Sequence, residues 1–191
     1  MIAPATHQAI CRQFATLLSY PTGDVPQSTA ACAALLREVR PEAAASLDRF
    51  ADFLKEHAAT RIEEVYTATF DLQPVCYPYV GYQLCGESQQ RGMFLIKLQQ
   101  LYRQHDFAAG VELPDHLSTV LRFVGHVSDP ICRQEIIQDA LRPALDNILK
   151  DLDAEDQPYA DLLKALQSFL TETVDTKTVR LRVAQPKECS L

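Results

Sequence analysis

From Ile10 to Leu170 the apolar side chains return every three or four positions, a period that belongs to helices and not to strands. Ile10, Cys11, Phe14, Leu17 and Leu18 form one such stripe and predict a helix from about Thr6 to Ser19, ended by Pro21 and Gly23. A second helix is expected around Ser28 to Val39, presenting Leu35, Leu36 and Val39. A third after Pro41 presents Leu47, Phe50, Phe53 and Leu54. Six glycines in 191 residues, among stretches rich in Ala, Leu, Gln, Glu and Arg, agree with helices joined by short turns. Each stripe is apolar on one face only, so each helix lies at the rim of one shared core.

The pattern continues along the chain. Thr60 and Glu63 have the spacing of a capping box and predict a helix carrying Ile62, Val65, Tyr66, Thr69 and Phe70, broken by Asp71 to Pro74. The stretch Val75 to Cys85, with Tyr77, Pro78, Tyr79, Gly81 and Tyr82 crowded together, reads as a turn leading into a short helix. Ser88 is the expected cap of a long helix that buries Phe94, Leu95, Leu98, Leu101 and Tyr102 and stops near His105. After a loop containing Gly110, Pro114 and Asp115 are expected to start a helix bearing Leu117, Val120, Leu121 and Val124. Asp129 as cap and Pro130 at the first helical position open a helix running to about Asp153, in which Pro143 predicts a kink. The last helix is expected from near Pro158, on Tyr159, Leu162, Leu163, Leu166 and Leu170. The expectation is an all-α, single-domain bundle of about eight to nine helices over residues 1–175. A tail over 176–191, extended or disordered, has Val179, Leu181 and Val183 alternating with Arg180 and Arg182.

A net charge of −7, from 25 acidic and 18 basic side chains, argues against a surface built to neutralise nucleic-acid phosphates and favours a basic peptide as partner. No apolar run approaches the roughly 18 residues of a membrane helix. With no leader pattern at the N-terminus, a cytoplasmic location is expected. The six cysteines show no C-x-x-C pair or finger spacing, so they read as reduced and mostly buried. His7, His57, His105, His116 and His126 include no H-x-x-x-H, which leaves surface or capping roles and no metal site of local spacing. Gly86 to Gly92 lacks the phosphate-loop pattern and reads as helix end, cap and helix start.

Two constellations admit a binding role. Glu63, Tyr66 and Phe70 share a helix face, which is core packing unless that face borders a groove. Glu112-Leu113-Pro114-Asp115-His116-Leu117 sets an acid beside an imidazole at a helix start, where Asp115 would suit the helix dipole and His116 would be at the surface. Neighbours on a helix diverge by about 100°, so Asp115 and His116 make no acid–base dyad without a third group. No nucleophile motif accompanies them, and the reading is against an enzyme.

Four blocks taken in order carry a resemblance: Tyr66-x-x-x-Phe70-Asp71; Gly86-Glu87-Ser88-x-x-Arg91-Gly92; Leu101-Tyr102 with Gln104-His105; and Glu112-Leu113-Pro114-Asp115-His116-Leu117. With the opening Leu17-Leu18-Ser19-Tyr20-Pro21, they resemble the nitrate reductase delta-subunit, or NarJ, branch of the TorD-like chaperones for molybdenum enzymes. The resemblance is dense over 60–124 and architectural elsewhere. It implies an all-helical TorD-like fold, no catalysis and no tightly bound cofactor of the chain's own. It also implies a partner, the N-terminal segment of a molybdenum oxidoreductase catalytic subunit, held until that client receives a molybdenum bis-guanine-dinucleotide cofactor. Cofactor-delivery proteins are admitted as further partners, and a monomer is expected.

On that implication an amphipathic client segment lies in an apolar groove, at roughly 25 cal/mol per Å² buried, while rim acids orient its basic ends. Tyr66, Phe70, Tyr77, Tyr79 and Tyr82 would form the wall. Pro114, Asp115 and His116 would form the edge, Asp115 offering an exposed charge and His116 a donor. Glu87, Arg91 and Leu117 from the same blocks complete the set. The alternative is an adaptor or structural subunit retained in the finished oxidoreductase.

Overall fold

The computed structural model describes residues 2–154 and 157–171, and the expected tail at 176–191 lies outside them. Its helices are α1 (Pro4–Leu17), α2 (Val25–Val39), α3 (Pro41–Glu56), α4 (Ala59–Phe70), α5 (Val80–Cys85), α6 (Gln89–Gln104), α7 (Leu117–His126), α8 (Pro130–Ile136), α9 (Arg142–Ala154) and α10 (Tyr159–Thr171). A π-helical turn, Ile137–Leu141, joins α8 to α9. No β-strand occurs among the described residues; the one antiparallel bridge pairs Tyr79 with His116.

Local chemistry accounts for most starts. Pro4 and Pro41 occupy the first positions of α1 and α3, where a missing N–H costs nothing. Asp24 caps α2 by accepting from the Gln27 N–H at 2.9 Å, so that helix begins before the expected Ser28. Ser88 and Asp129 cap α6 and α8 as expected. The capping box at Thr60 and Glu63 does not form: α4 starts at Ala59 after Ala58, which puts Thr60 inside the first turn, past the cap position. The helix expected from Pro114 starts only at Leu117, because His116 is the cap and its Nδ1 accepts from the Ser118 N–H at 3.2 Å. Where a kink was expected at Pro143, the turn before it is π-helical. The Arg142 N–H bonds the Ile137 carbonyl five residues back, widening the turn that the proline ring would otherwise crowd.

Helix α10 is the central staff, with Tyr159, Leu162, Leu163, Ala165, Leu166, Phe169 and Leu170 at no solvent exposure. It packs on α3 and α9, while α1 packs on α7 and α2, and α5 is set among α6, the π turn and α9. Cys11, Cys32 and Cys76 are buried, and burial pushes each thiol up to about 12, which leaves them unreactive. Cys85 is exposed and Cys132 intermediate, so the expectation of mostly buried cysteines holds for three of the five described. No helix among the described residues is long and apolar enough to cross a membrane.

Candidate functional site

Arg91, in the first turn of α6, is the point on which three separate stretches of chain converge. Its Nε donates to Asp115 Oδ2 at 3.1 Å and its Nη1 to Glu87 Oε1 at 2.7 Å. Its guanidinium lies over Tyr79 and Tyr82, 5.2 and 5.7 Å from the ring centroids. Tyr77 meets Tyr82 in a tilted contact at 4.4 Å, and Tyr79 meets His116 edge-on at 5.4 Å. The segment before α5 is stitched to the segment before α7 by two backbone bonds, Val80 N–H to the Asp115 carbonyl and Leu117 N–H to the Pro78 carbonyl, both 2.8 Å. The Tyr102 hydroxyl fastens the same edge from α6 by donating to the Pro114 carbonyl at 2.8 Å.

Gly81 makes this convergence sterically possible. A Cβ there would lie 2.8 Å from Phe94 Cδ1 and 2.9 Å from Asp115 Oδ2. The residue was not among the expected site positions. Its signal is a glycine near the start of a short helix, where it weakens the helix unless another group needs the space.

Burial reassigns two expected roles. Asp115 is fully buried and its charge is directed at Arg91, so it offers no exposed orienting charge. Its Oδ1 has no hydrogen-bond partner among the described residues. His116 is also buried, not at the surface; its Nδ1 accepts from the Ser118 backbone and hydroxyl, which puts the ring proton on Nε2. Burial lowers its pKa, with Glu112 and Asp115 opposing, so the ring is neutral near pH 7. Capping, the other histidine role expected, is the one His116 fills. His7 likewise leaves the surface and packs at a tilt on Phe169, with ring centroids 5.3 Å apart. Leu117 and Pro114 are buried and act as scaffold. The charges that do reach solvent here are Glu87 and Glu112. Burial acts to lower the pKa of Arg91, but Asp115 and then Glu87 outweigh it and hold the guanidinium charged.

Tyr66 and Phe70 stand apart from the cluster. Both are buried, and both rings pack on Tyr159, at 5.8 and 5.0 Å. They belong to the core, as their spacing alone suggested, and cannot wall an open groove without moving. The Tyr66 hydroxyl nevertheless feels Glu112, Asp71 and Tyr79, which add to burial in raising its pKa. Tyr79 is raised by burial first and then by Glu112. Glu112 therefore acts on Tyr66 in the core and on Tyr79 in the cluster.

The face is thus aromatic and acid-rimmed: Tyr77 is exposed and leans on half-buried Tyr82, and Tyr82 and half-buried Tyr79 flank the Arg91 guanidinium that pairs with Asp115. Asp115 and His116 are turned to different partners, Arg91 and Ser118. Among the described residues no group of three His, Cys, Asp or Glu side chains gathers to hold a metal.

The chain matches the sequence profile of the family described as nitrate reductase delta subunit over residues 36–176. It is 28% identical over 156 residues to a Bacillus subtilis (strain 168) protein described as the nitrate reductase molybdenum cofactor assembly chaperone NarJ, covering 81% of this chain and 84% of that one. Its fold is that of an Archaeoglobus fulgidus protein described as a redox enzyme maturation protein. The TM-score is 0.62 at 22% identity, over 86% of this chain and 94% of that one.

Proposed function

The chain belongs to the nitrate reductase delta subunit family, and from that premise we propose that it is a molybdenum cofactor assembly chaperone. It holds the N-terminal segment of a nitrate reductase-like catalytic subunit until the cofactor is installed. The Bacillus subtilis relative is named for molybdenum cofactor assembly of nitrate reductase. The observation that carries the reading is the convergence on Arg91. Two of the family blocks, Gly86–Gly92 and Glu112–Leu117, meet there with Tyr79 and Tyr82 of the intervening segment in one aromatic face with acids at its rim.

A basic, amphipathic segment suits this face. Its apolar side covers the rings of Tyr77 and Tyr82, its cations meet Glu87 and Glu112, and the buried ion pair below keeps the rings in place. The chain turns over no substrate in this reading. The molybdenum cofactor is the client's, and no residue here is assigned to it.

Co-expression with the catalytic subunit tests the proposal. The full-length chain is expected to capture the cofactor-free subunit and to lose it when the N-terminal segment is removed or the cofactor is inserted. Equal capture of the truncated subunit would refute the segment as the ligand. Retention in the mature enzyme would favour a structural subunit instead.

A further inference from the structure

A cavity of about 230 Å³ opens between α1 and α7, lined by Gln8, Arg12, Phe107, Arg122, Gly125 and His126, and shares no residue with the Arg91 cluster. Gln8 and Arg12 are four apart on α1, and Arg122 and His126 four apart on α7, so each pair presents one helix face. Gly125 lets those faces approach: a Cβ there would lie 3.0 Å from Cys11 Cβ and 3.3 Å from the Gln8 carbonyl oxygen. Arg122 is held in place. Its guanidinium sits over the Phe107 ring at 5.5 Å and donates to the Ala109 carbonyl, which leaves further N–H groups unspent. His126 is held by its Nε2 on the His105 carbonyl at 2.9 Å.

The charged side chains that line this cavity are basic. Arg37, Arg49, Arg61 and Arg91 each pair with a carboxylate. Arg12 and Arg122 have no acidic partner among the described residues, and no carboxylate lines the cavity. In a protein of net charge −7, two uncompensated guanidiniums at one concave site make a local positive field. The volume is several times one water's share of about 30 Å³, enough for a tetrahedral oxoanion with some of its hydration. A guanidinium fork matches two oxygens of a phosphate better than any other side chain does.

We propose that this cavity binds a phosphate-type oxoanion, free or as the head of a small organic phosphate, between Arg12 and Arg122 with Gln8 as a neutral donor. The site is independent of the chaperone reading, and neither depends on the other's outcome.

Calorimetry and thermal unfolding of the full-length chain, with inorganic phosphate, pyrophosphate and glycerol phosphate against sodium chloride of equal ionic strength, test it. Saturable binding and a raised Tm are expected with at least one of the three. Equal affinity for inorganic and glycerol phosphate identifies a free anion, and tighter glycerol phosphate an organic ester. Arg12 is exposed, so Arg12→Gln keeps the fold, and it should weaken binding about tenfold or more, with Arg12→Lys recovering part of the loss. No saturable binding beyond the chloride control at millimolar ligand, or unchanged affinity in Arg12→Gln, would overturn the proposal.

Discussion

Replacing Gly81 with alanine adds one methyl group at the point where α5, α6 and the edge before α7 come closest. On an open helix surface this change is favourable by about 1 kcal/mol, because alanine restricts the unfolded chain and suits the helix. Here the new Cβ would stand 2.8 Å from a ring carbon of Phe94 and 2.9 Å from Asp115 Oδ2, with Arg91 Cγ at 3.3 Å. Neither near neighbour is a free end: Phe94 is buried, and Asp115 Oδ2 is the oxygen that accepts from Arg91 Nε. Relief needs a shift of most of an ångström, and overpacking of this kind costs about 1–3 kcal/mol. Set against the helical gain, the net expectation is a loss of up to about 2 kcal/mol, or up to roughly 8 °C in Tm for a domain of this size. Urea denaturation and a thermal melt of Gly81→Ala against the parent measure it. A variant more stable than the parent by about 1 kcal/mol, the helical gain unopposed, would refute the close approach and with it the geometry assigned to the cluster.

Further expectations come from the buried groups. Arg91→Met leaves the carboxylate of Asp115 without its counter-ion and should cost about 3–5 kcal/mol, with Asp115→Asn added to it restoring part; a double-mutant cycle reads the coupling. Asp115→Asn alone should lower stability with little dependence on salt, since the group is buried and unscreened, and a melt at two salt concentrations checks this. Phe70→Ala should cost about 3–5 kcal/mol in denaturant unfolding, because the ring packs on Tyr66 and Tyr159. Burial, aided by Arg133, holds the His7 pKa down from 6.5 to about 4, so below pH 6.5 the unfolded chain binds the proton that the fold refuses. Its contribution is full above 6.5 and lost as pH falls toward 4, about 2 kcal/mol of it by pH 5. His7→Phe should therefore flatten the stability profile between pH 7.5 and 5.

The helices were legible because their signal is local. Apolar stripes such as Phe14–Leu17–Leu18 and Leu162–Leu163–Leu166 have one period, and Ser88 and Asp129 cap where a cap was expected. Starts went astray where a competing residue lay one to three positions away: Ala58 displaced the Thr60 box, and His116 took the cap that Pro114 and Asp115 seemed to offer. Pro143 announced a disturbance, but not that the ladder would absorb it as a π turn at Ile137–Leu141. The site was legible as a set of blocks and not as a geometry. Asp115 and His116 read as exposed because acids and imidazoles usually are, and their burial depends on Arg91, 24 positions from Asp115, and on the Tyr79–His116 bridge. Tyr66 and Phe70 carry the core spacing that any buried helix shows, so only tertiary packing on Tyr159 separates them from Tyr77 and Tyr82.

The account turns on the face over Arg91 being where the client's N-terminal segment binds. Calorimetric titration of that segment, as a synthetic peptide, into the full-length chain tests this most directly, beside the variant Tyr77→Ser with Tyr82→Ser. These two rings pack against each other at a tilt and Tyr77 is exposed, so the fold should survive their loss. Removing two aromatic anchors should cost at least about 2 kcal/mol of binding, a weakening of more than tenfold, while the melting temperature changes little. A variant that binds the peptide as tightly as the parent, or a parent that does not bind it, would contradict the account.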